Sequence, residues 1–232
     1  RRARRAEPEP AVVTVPVTRA TLIGAVPVGD EDAAAAWLAD ADLTREVRAA
    51  VEVLNIVLHA ERIVRADPFV REIAPEQALA IRVGIGRGEE VAEGRWTDAR
   101  ALAPLATARP KRTRALRPQE RLAAVLAGRD VALAAEELTL RARLDLDRGR
   151  TREAALQVRV ALEAALAELQ AWAHHDDLAA RLAELGEERG AVGAAANRAL
   201  QGGLDTAQIA DVTRVVGRLE AILAARVAGG LE

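Results

Sequence analysis

The stretch Thr151 to Ala173, TREAALQVRVALEAALAELQAWA, constrains this chain most. It contains no Gly or Pro and is rich in Ala, Leu, Glu and Arg, residues that lose little side-chain freedom in a helix. At about 100° per residue, Val158, Leu162, Ala165, Leu169 and Trp172 fall on one wide stripe, with Arg152, Arg159, Glu163 and Gln170 opposite. A helix with that much apolar surface must pack against several others, which places it at the centre of a helical bundle.

The material for such a bundle is restricted. The chain has no Met, Tyr or Cys, and Phe69 is its only Phe, so Ala, Leu, Val and Ile must form nearly the whole core. Side chains that small reach interior density only where backbones come close. Lys111 is the only lysine among many arginines, a bias that goes with the Ala excess and with GC-rich coding; arginine is therefore a weak functional signal here. A net charge of −2 gives no global attraction to nucleic acid or anionic membrane. Without cysteine there is no disulfide, thiolate metal site or cysteine nucleophile. No apolar run approaches the ~18 residues of a membrane span. Arg1-Arg2-Ala3-Arg4-Arg5 is followed by Glu7-Pro8-Glu9-Pro10 instead of the apolar core of a signal peptide, so a cytoplasmic location is expected. The first residue is not Met, which points to processing or to a longer reading frame.

The pattern along the chain predicts a mainly α protein: a small N-terminal α+β unit of one strand, two helices and a β-hairpin, then an antiparallel bundle of about five helices. Residues 1–11 read as a flexible arm, 12–106 as the α+β domain, 107–117 as a basic linker, and 118–232 as the bundle. Arg19 to Val26 is the expected strand, since Pro16 confines the stretch before it to an edge. Asp30 caps a short helix through Trp37 and Leu38. A longer helix runs from about Leu43 to Arg65, with Val47, Leu54, Val57, Leu58 and Val64 on its buried side. Ala80 to Ile85 and Val91 to Trp96 read as strands around a turn at Gly86 to Glu89.

In the bundle, helices are expected to stop at Gly128 and Gly149. The leucine phase changes by half a turn after Trp172, which puts a turn at Ala173 to Asp177, with Asp176 or Asp177 capping a helix to about Leu200. Asp205 and Gln208 form a capping box for the last helix, whose core face is Ile209, Val212, Val216, Leu219, Leu223 and Val227. The spacing of Ala142, Gly149, Ala154 and Ala161-Leu162 resembles a tetratricopeptide helical hairpin over about 20 residues, a family that binds peptides in stacked arrays. Arg141 and Asp145 stand where that family has apolar or aromatic residues, Leu166 stands in place of its terminal proline, and no copy lies 34 residues away. The segment reads as a single αα-hairpin.

Candidate sites are few. Gly84-x-Gly86-x-Gly88 would cradle a phosphate only if a helix followed, and a strand is expected there. His174-His175-Asp176-Asp177 offers four metal-ligand types in a row, but adjacent side chains do not converge on one ion. His59 shares a face with Glu52, Asn55 and Arg62; Glu61 projects into the apolar side, one turn from Arg65. The most specific feature is the stripe Gly186, Gly190 and Gly193 followed by Asn197, with Arg189 beside it, which needs Glu220 or another acid as partner or marks where an external acidic group docks. Each glycine costs a helix ~1 kcal/mol relative to Ala, so the stripe predicts close helix packing or a contact surface. No catalytic, cofactor-binding or metal site is expected.

These features favour a non-enzymatic helical module for protein–protein interaction or structure, whose partner is another protein or a second copy. One alternative is a nucleic-acid-associated protein using Arg1 to Arg5 and the Arg109 to Arg117 linker. The other is an enzyme with an interdomain pocket, using His59, Glu52 or Glu61.

Overall fold

The computed structural model describes residues 17–25, 27–103 and 118–228. The expected arm (1–11) and basic linker (107–117) lie outside the described residues. The chain divides into two compact units, Arg1–Thr107 and Ala108–Glu232. The fold is mainly α, with eight α-helices and one two-stranded antiparallel sheet among the described residues.

In the first unit, helix α1 (Glu31–Asp40) starts where Asp30 accepts a hydrogen bond from the Ala33 N–H at 2.8 Å. Asp42 does the same for helix α2 (Leu43–Val64), accepting from the Arg45 N–H at 3.0 Å. Each carboxylate satisfies an N–H that the first turn leaves free and sits at the positive end of the helix dipole. Strands β1 (Ile81–Ile85) and β2 (Asp98–Leu102) pair antiparallel, from Ile81 opposite Leu102 to Ile85 opposite Asp98.

Two strand expectations are corrected here. Arg19 to Ala25 carries no strand: β1 and β2 pair with each other, and β-branched residues alone do not make a strand without a ladder partner. The second hairpin strand begins at Asp98, seven residues beyond Val91. Gly88–Val91 instead forms a 3₁₀ turn that buries Val91, and Gly94 sits at φ +82°, a conformation a strand excludes. The register is set at Gly84, where a Cβ would run into the Asp98 carbonyl and Ala99.

The second unit is all helical: α3 (Pro118–Leu126), α4 (Ala134–Asp147), α5 (Thr151–Glu168, prolonged by a 3₁₀ turn at Leu169–Trp172), α6 (Asp176–Glu187), α7 (Arg189–Gln201) and α8 (Thr206–Ala228). Gly128 and Gly149 end α3 and α4 at φ +69° and +70°, each followed by an N–H that bonds back five residues: Arg129 to the Ala124 carbonyl at 2.9 Å, Arg150 to Asp145 at 2.8 Å. Asp205 and Gln208 make the expected reciprocal box at the start of α8, at 2.8 and 3.1 Å. Helix α5 packs against α4, α6, α7 and α8, with Val158, Leu162, Ala165 and Leu169 buried.

The bundle has six helices because the one expected to reach Leu200 breaks at Glu188, between α6 and α7. Glu188 is 7% exposed and its carboxylate meets both Arg214, in a short contact, and Arg218 at 2.8 Å on α8. The cap of α6 also differs. His175 occupies it without a side-chain bond, and Asp176 and Asp177 lie in the first turn, where their charge still favours the helix N-terminus.

Polar groups complete this core. Arg226, only 2% exposed, donates to Asp130 at 2.6 Å and lies over the Trp172 ring at 4.5 Å. Asp130 and Glu136 also hold Arg121, at 3.0 and 2.8 Å. Across the α4–α5 hairpin, the Glu168 carboxylate accepts from the Ala134 and Ala135 N–H groups at 3.1 and 3.0 Å, capping α4 from outside it. Burial works to raise the Asp130 carboxyl, and hydrogen bonds from Arg121, the Val131 N–H and Arg226 outweigh it, holding it below the ordinary aspartate range.

A folded-state pKa below the unfolded one contributes stability that is present above the unfolded value of about 4 and lost as pH falls through the lowered one. Asp130→Ala leaves Arg226 buried without its short partner, and should cost about 3 kcal/mol in urea unfolding at neutral pH. The difference from the natural chain should shrink as the pH is taken below about 4. Equal losses at pH 7 and pH 3 would show that the carboxylate charge is not what matters.

Candidate functional site

Helix α2 buries Val47 and Asn55, with Leu43, Val51, Leu54, Leu58 and His59 half-buried beside them. Asn55 is 1% exposed; its amide donates to the Ile73 carbonyl at 2.9 Å and accepts from the Ile73 N–H at 2.9 Å. This pair of bonds treats Ile73 as a strand neighbour would and fixes the segment before the 3₁₀ turn Pro75–Gln77 against the helix. On the same side, the His59 imidazole lies 3.9 Å from the Glu72 carboxylate and Arg48 lies 3.6 Å from Glu76. Rotation about the helix axis is then set, because a buried amide left unbonded costs ~1–3 kcal/mol.

The consequence is on the opposite side. Val53, Ile56, Val57, Ile63 and Val64 are 54–83% exposed, and Ala60 is exposed among them. Their spacing, i, i+3, i+4, i+7, i+10 and i+11, is that of a helix face that packs on another element. Val57 and Val64 were expected inside; of the expected buried set only Val47 is buried, with Leu54 and Leu58 half-buried. Hydropathy alone assigns the wide apolar stripe to the core. It does not register that Asn55 has two backbone partners 18 residues away.

The remaining candidates separate. Glu61 forms a close ion pair with Arg65 at the surface, as its spacing implies. His59 is on the far side of the helix from Glu61, so the two do not converge. His174 Nδ1 lies 3.2 Å from the Ala171 carbonyl, to which its N–H can donate, and its ring packs against His175 at 4.1 Å. Among the described residues, no group of three or more His, Asp or Glu is placed to hold a metal ion. The Gly84 to Gly88 segment leads from β1 into the 3₁₀ turn and no long helix follows.

For the glycine stripe, the close-packing expectation is corrected. A Cβ at Gly186, Gly190 or Gly193 would meet nothing within 4 Å. Close approach is instead made by alanines: Ala195, Ala196 and Ala199 on α7, with Ala154, Ala155, Ala161 and Ala165 on α5, are all at 0–1% exposure. Arg189 pairs with Glu163 of α5, at 3.0 Å through Nε and 2.8 Å through Nη2. The bonds from Arg189 hold the Glu163 carboxyl below its ordinary range against a small opposing effect of burial. Glu163 is thus the other acid that the sequence allowed, and Glu220 is taken by Arg143 in a two-point contact at 2.8 Å. Asn197 is exposed and receives a bond from Arg159 at 3.2 Å. Gly186 and Arg189 line a shallow groove of about 310 Å³ with Leu166, Gln170, Leu182 and Ala183.

No helix among the described residues is long and apolar enough to cross a membrane. No family model, curated protein or solved structure matches the chain.

Open space at the glycines has a measurable consequence. Gly193→Ala should raise bundle stability by up to ~1 kcal/mol through helix propensity, and Gly190→Leu should change it by less than about 0.5 kcal/mol. Chemical denaturation of both variants checks this. A loss of more than about 1 kcal/mol for Gly190→Leu would mean that backbone meets backbone at this stripe after all.

Proposed function

We propose that the chain is a non-enzymatic protein–protein interaction module and that the outward face of α2 is its contact surface. The observation that carries this reading is the exposure of Val53, Ile56, Val57, Ile63 and Val64 along one continuous stripe. Exposed apolar residues scattered singly are ordinary, whereas a contiguous stripe of branched side chains marks an interaction site. The catalytic alternative lacks a comparable observation, because His59, Glu61 and the His174–Asp177 run each keep separate local partners.

Because the chain has no cysteine, one introduced thiol reports on this face alone. With the chain dilute, Ile56→Cys should react with a maleimide at a rate within about tenfold of Leu140→Cys, an equally exposed position on α4. A rate slowed by about a hundredfold or more at high dilution would show that the face is covered within the chain's own fold, and the reading would fall.

A further inference from the structure

We infer that the partner on the α2 face is a second copy of this chain, so that two α2 helices pack face to face and bury the apolar stripe that each leaves exposed. The inference rests on the reading of α2 as a contact surface and adds what occupies it.

The first argument is the core itself. Among the described residues of the unit Arg1–Thr107, only Leu38, Val47 and Val91 are hydrophobic side chains in the buried class. The unit Ala108–Glu232 buries 24 such residues. Covering the α2 face would add five branched side chains to that small set, so the single chain folds with apolar surface left to bury. A second copy is present whenever the chain is and can supply that cover without any other protein.

The second argument is area. At 54–83% exposure, the five branched side chains leave roughly 500 Å² of apolar surface on one copy, the upper range for a single patch on a monomer. Two such faces, fully covered, remove roughly 1,000 Å² from water before any rim is counted, the lower limit for a specific interface and the size of a reversible one.

The third is the chemistry of the face. Its six positions hold Val, Ile and Ala, with no charge or hydrogen-bonding group among them to select a foreign partner. Their spacing over three turns is the one by which helices seat side chains between one another's, and Ala60 at the middle leaves room for a branched residue from the opposite helix. A surface with this pattern is complementary to itself.

Sedimentation of the full chain, together with the Ile56→Cys labelling rate, tests this across a concentration series. The chain should pass from monomer to dimer, and the thiol should become at least about tenfold slower to react over the same range. Ile56→Glu should weaken self-association by at least about a hundredfold, while Leu140→Glu on α4 leaves it unchanged. Far-ultraviolet circular dichroism of dilute samples shows whether the Glu variant keeps its helices; if it does not, Val53→Ser, a smaller change on the same face, takes its place with the same expected direction. A chain that stays monomeric with a reactive thiol at every concentration overturns the second-copy proposal and leaves the contact-surface reading standing. A thiol protected even at the lowest concentration overturns both. A dimer indifferent to Ile56→Glu and Val53→Ser places self-association on another surface and overturns the proposal.

Discussion

Everything in the bundle depends on how closely its backbones approach. With Leu, Val and Ile as the largest abundant apolar side chains, interior density requires positions where almost nothing stands between two helices. Alanine supplies them: Ala135 and Ala142 on α4, Ala154, Ala155, Ala161 and Ala165 on α5, Ala195, Ala196 and Ala199 on α7 are at 0–1% exposure. Alanine does this without the helix penalty that glycine carries, so the seams can be built into long helices that remain stable as helices. Leu162, Leu169, Leu185, Leu219 and Ile222 then fill the wider spaces between the seams.

A core of small side chains still leaves places too large for leucine and too remote for a main-chain partner, and long charged residues occupy them. Arg226 spans from α8 to Asp130 and covers Trp172 on the way, so one side chain joins α8, the segment between α3 and α4, and the end of α5. Its Nε and Nη1 are buried without a hydrogen-bond partner, although Nη1 lies 3.9 Å from the Glu136 carboxylate. Glu188 plays the complementary part, a buried anion at the α6–α7 break facing Arg214 and Arg218. Pairs of this kind add little net stability compared with a well-packed apolar side chain, because desolvation offsets their attraction. Their cost when broken is large, and they therefore fix which helices are neighbours.

Local rules made much of this legible. Asp30, the Asp205–Gln208 box, the glycines at 128 and 149, and the leucine phase change after Trp172 each act within a few residues of themselves, and each produced the element boundary that its chemistry implies. What the sequence concealed was set at long range. The second strand starts at Asp98, in a register that puts Ala99 close against Gly84, where a Cβ would not fit, a fact about residues 15 apart. The face that α2 buries was hidden for the same reason, since Asn55 finds Ile73 only once the chain has folded back. Arg189 takes Glu163 of α5 and Glu220 takes Arg143 of α4, a choice between acids on other helices that sequence spacing cannot rank.

Asn55 thus decides more than its own burial. Helix α2 carries apolar residues on two sides, Val47, Val51, Leu54 and Leu58 inward and Val53, Ile56, Val57, Ile63 and Val64 outward. Its rotation is held by two hydrogen bonds to Ile73 and by His59 and Arg48 beside acidic partners. A helix free to turn would place Val57 and Ile56 against the rest of the unit and show Asn55 and His59 to water. The bonds to Ile73 oppose that turn, since exposing Ile73's main chain and Asn55 together gains only what water can replace, whereas burying either alone is costly. The Asn55–Ile73 bonds therefore fix which of the two apolar sides of α2 faces outward. A polar clamp that keeps a hydrophobic face presented is the structural condition for a surface that meets a partner.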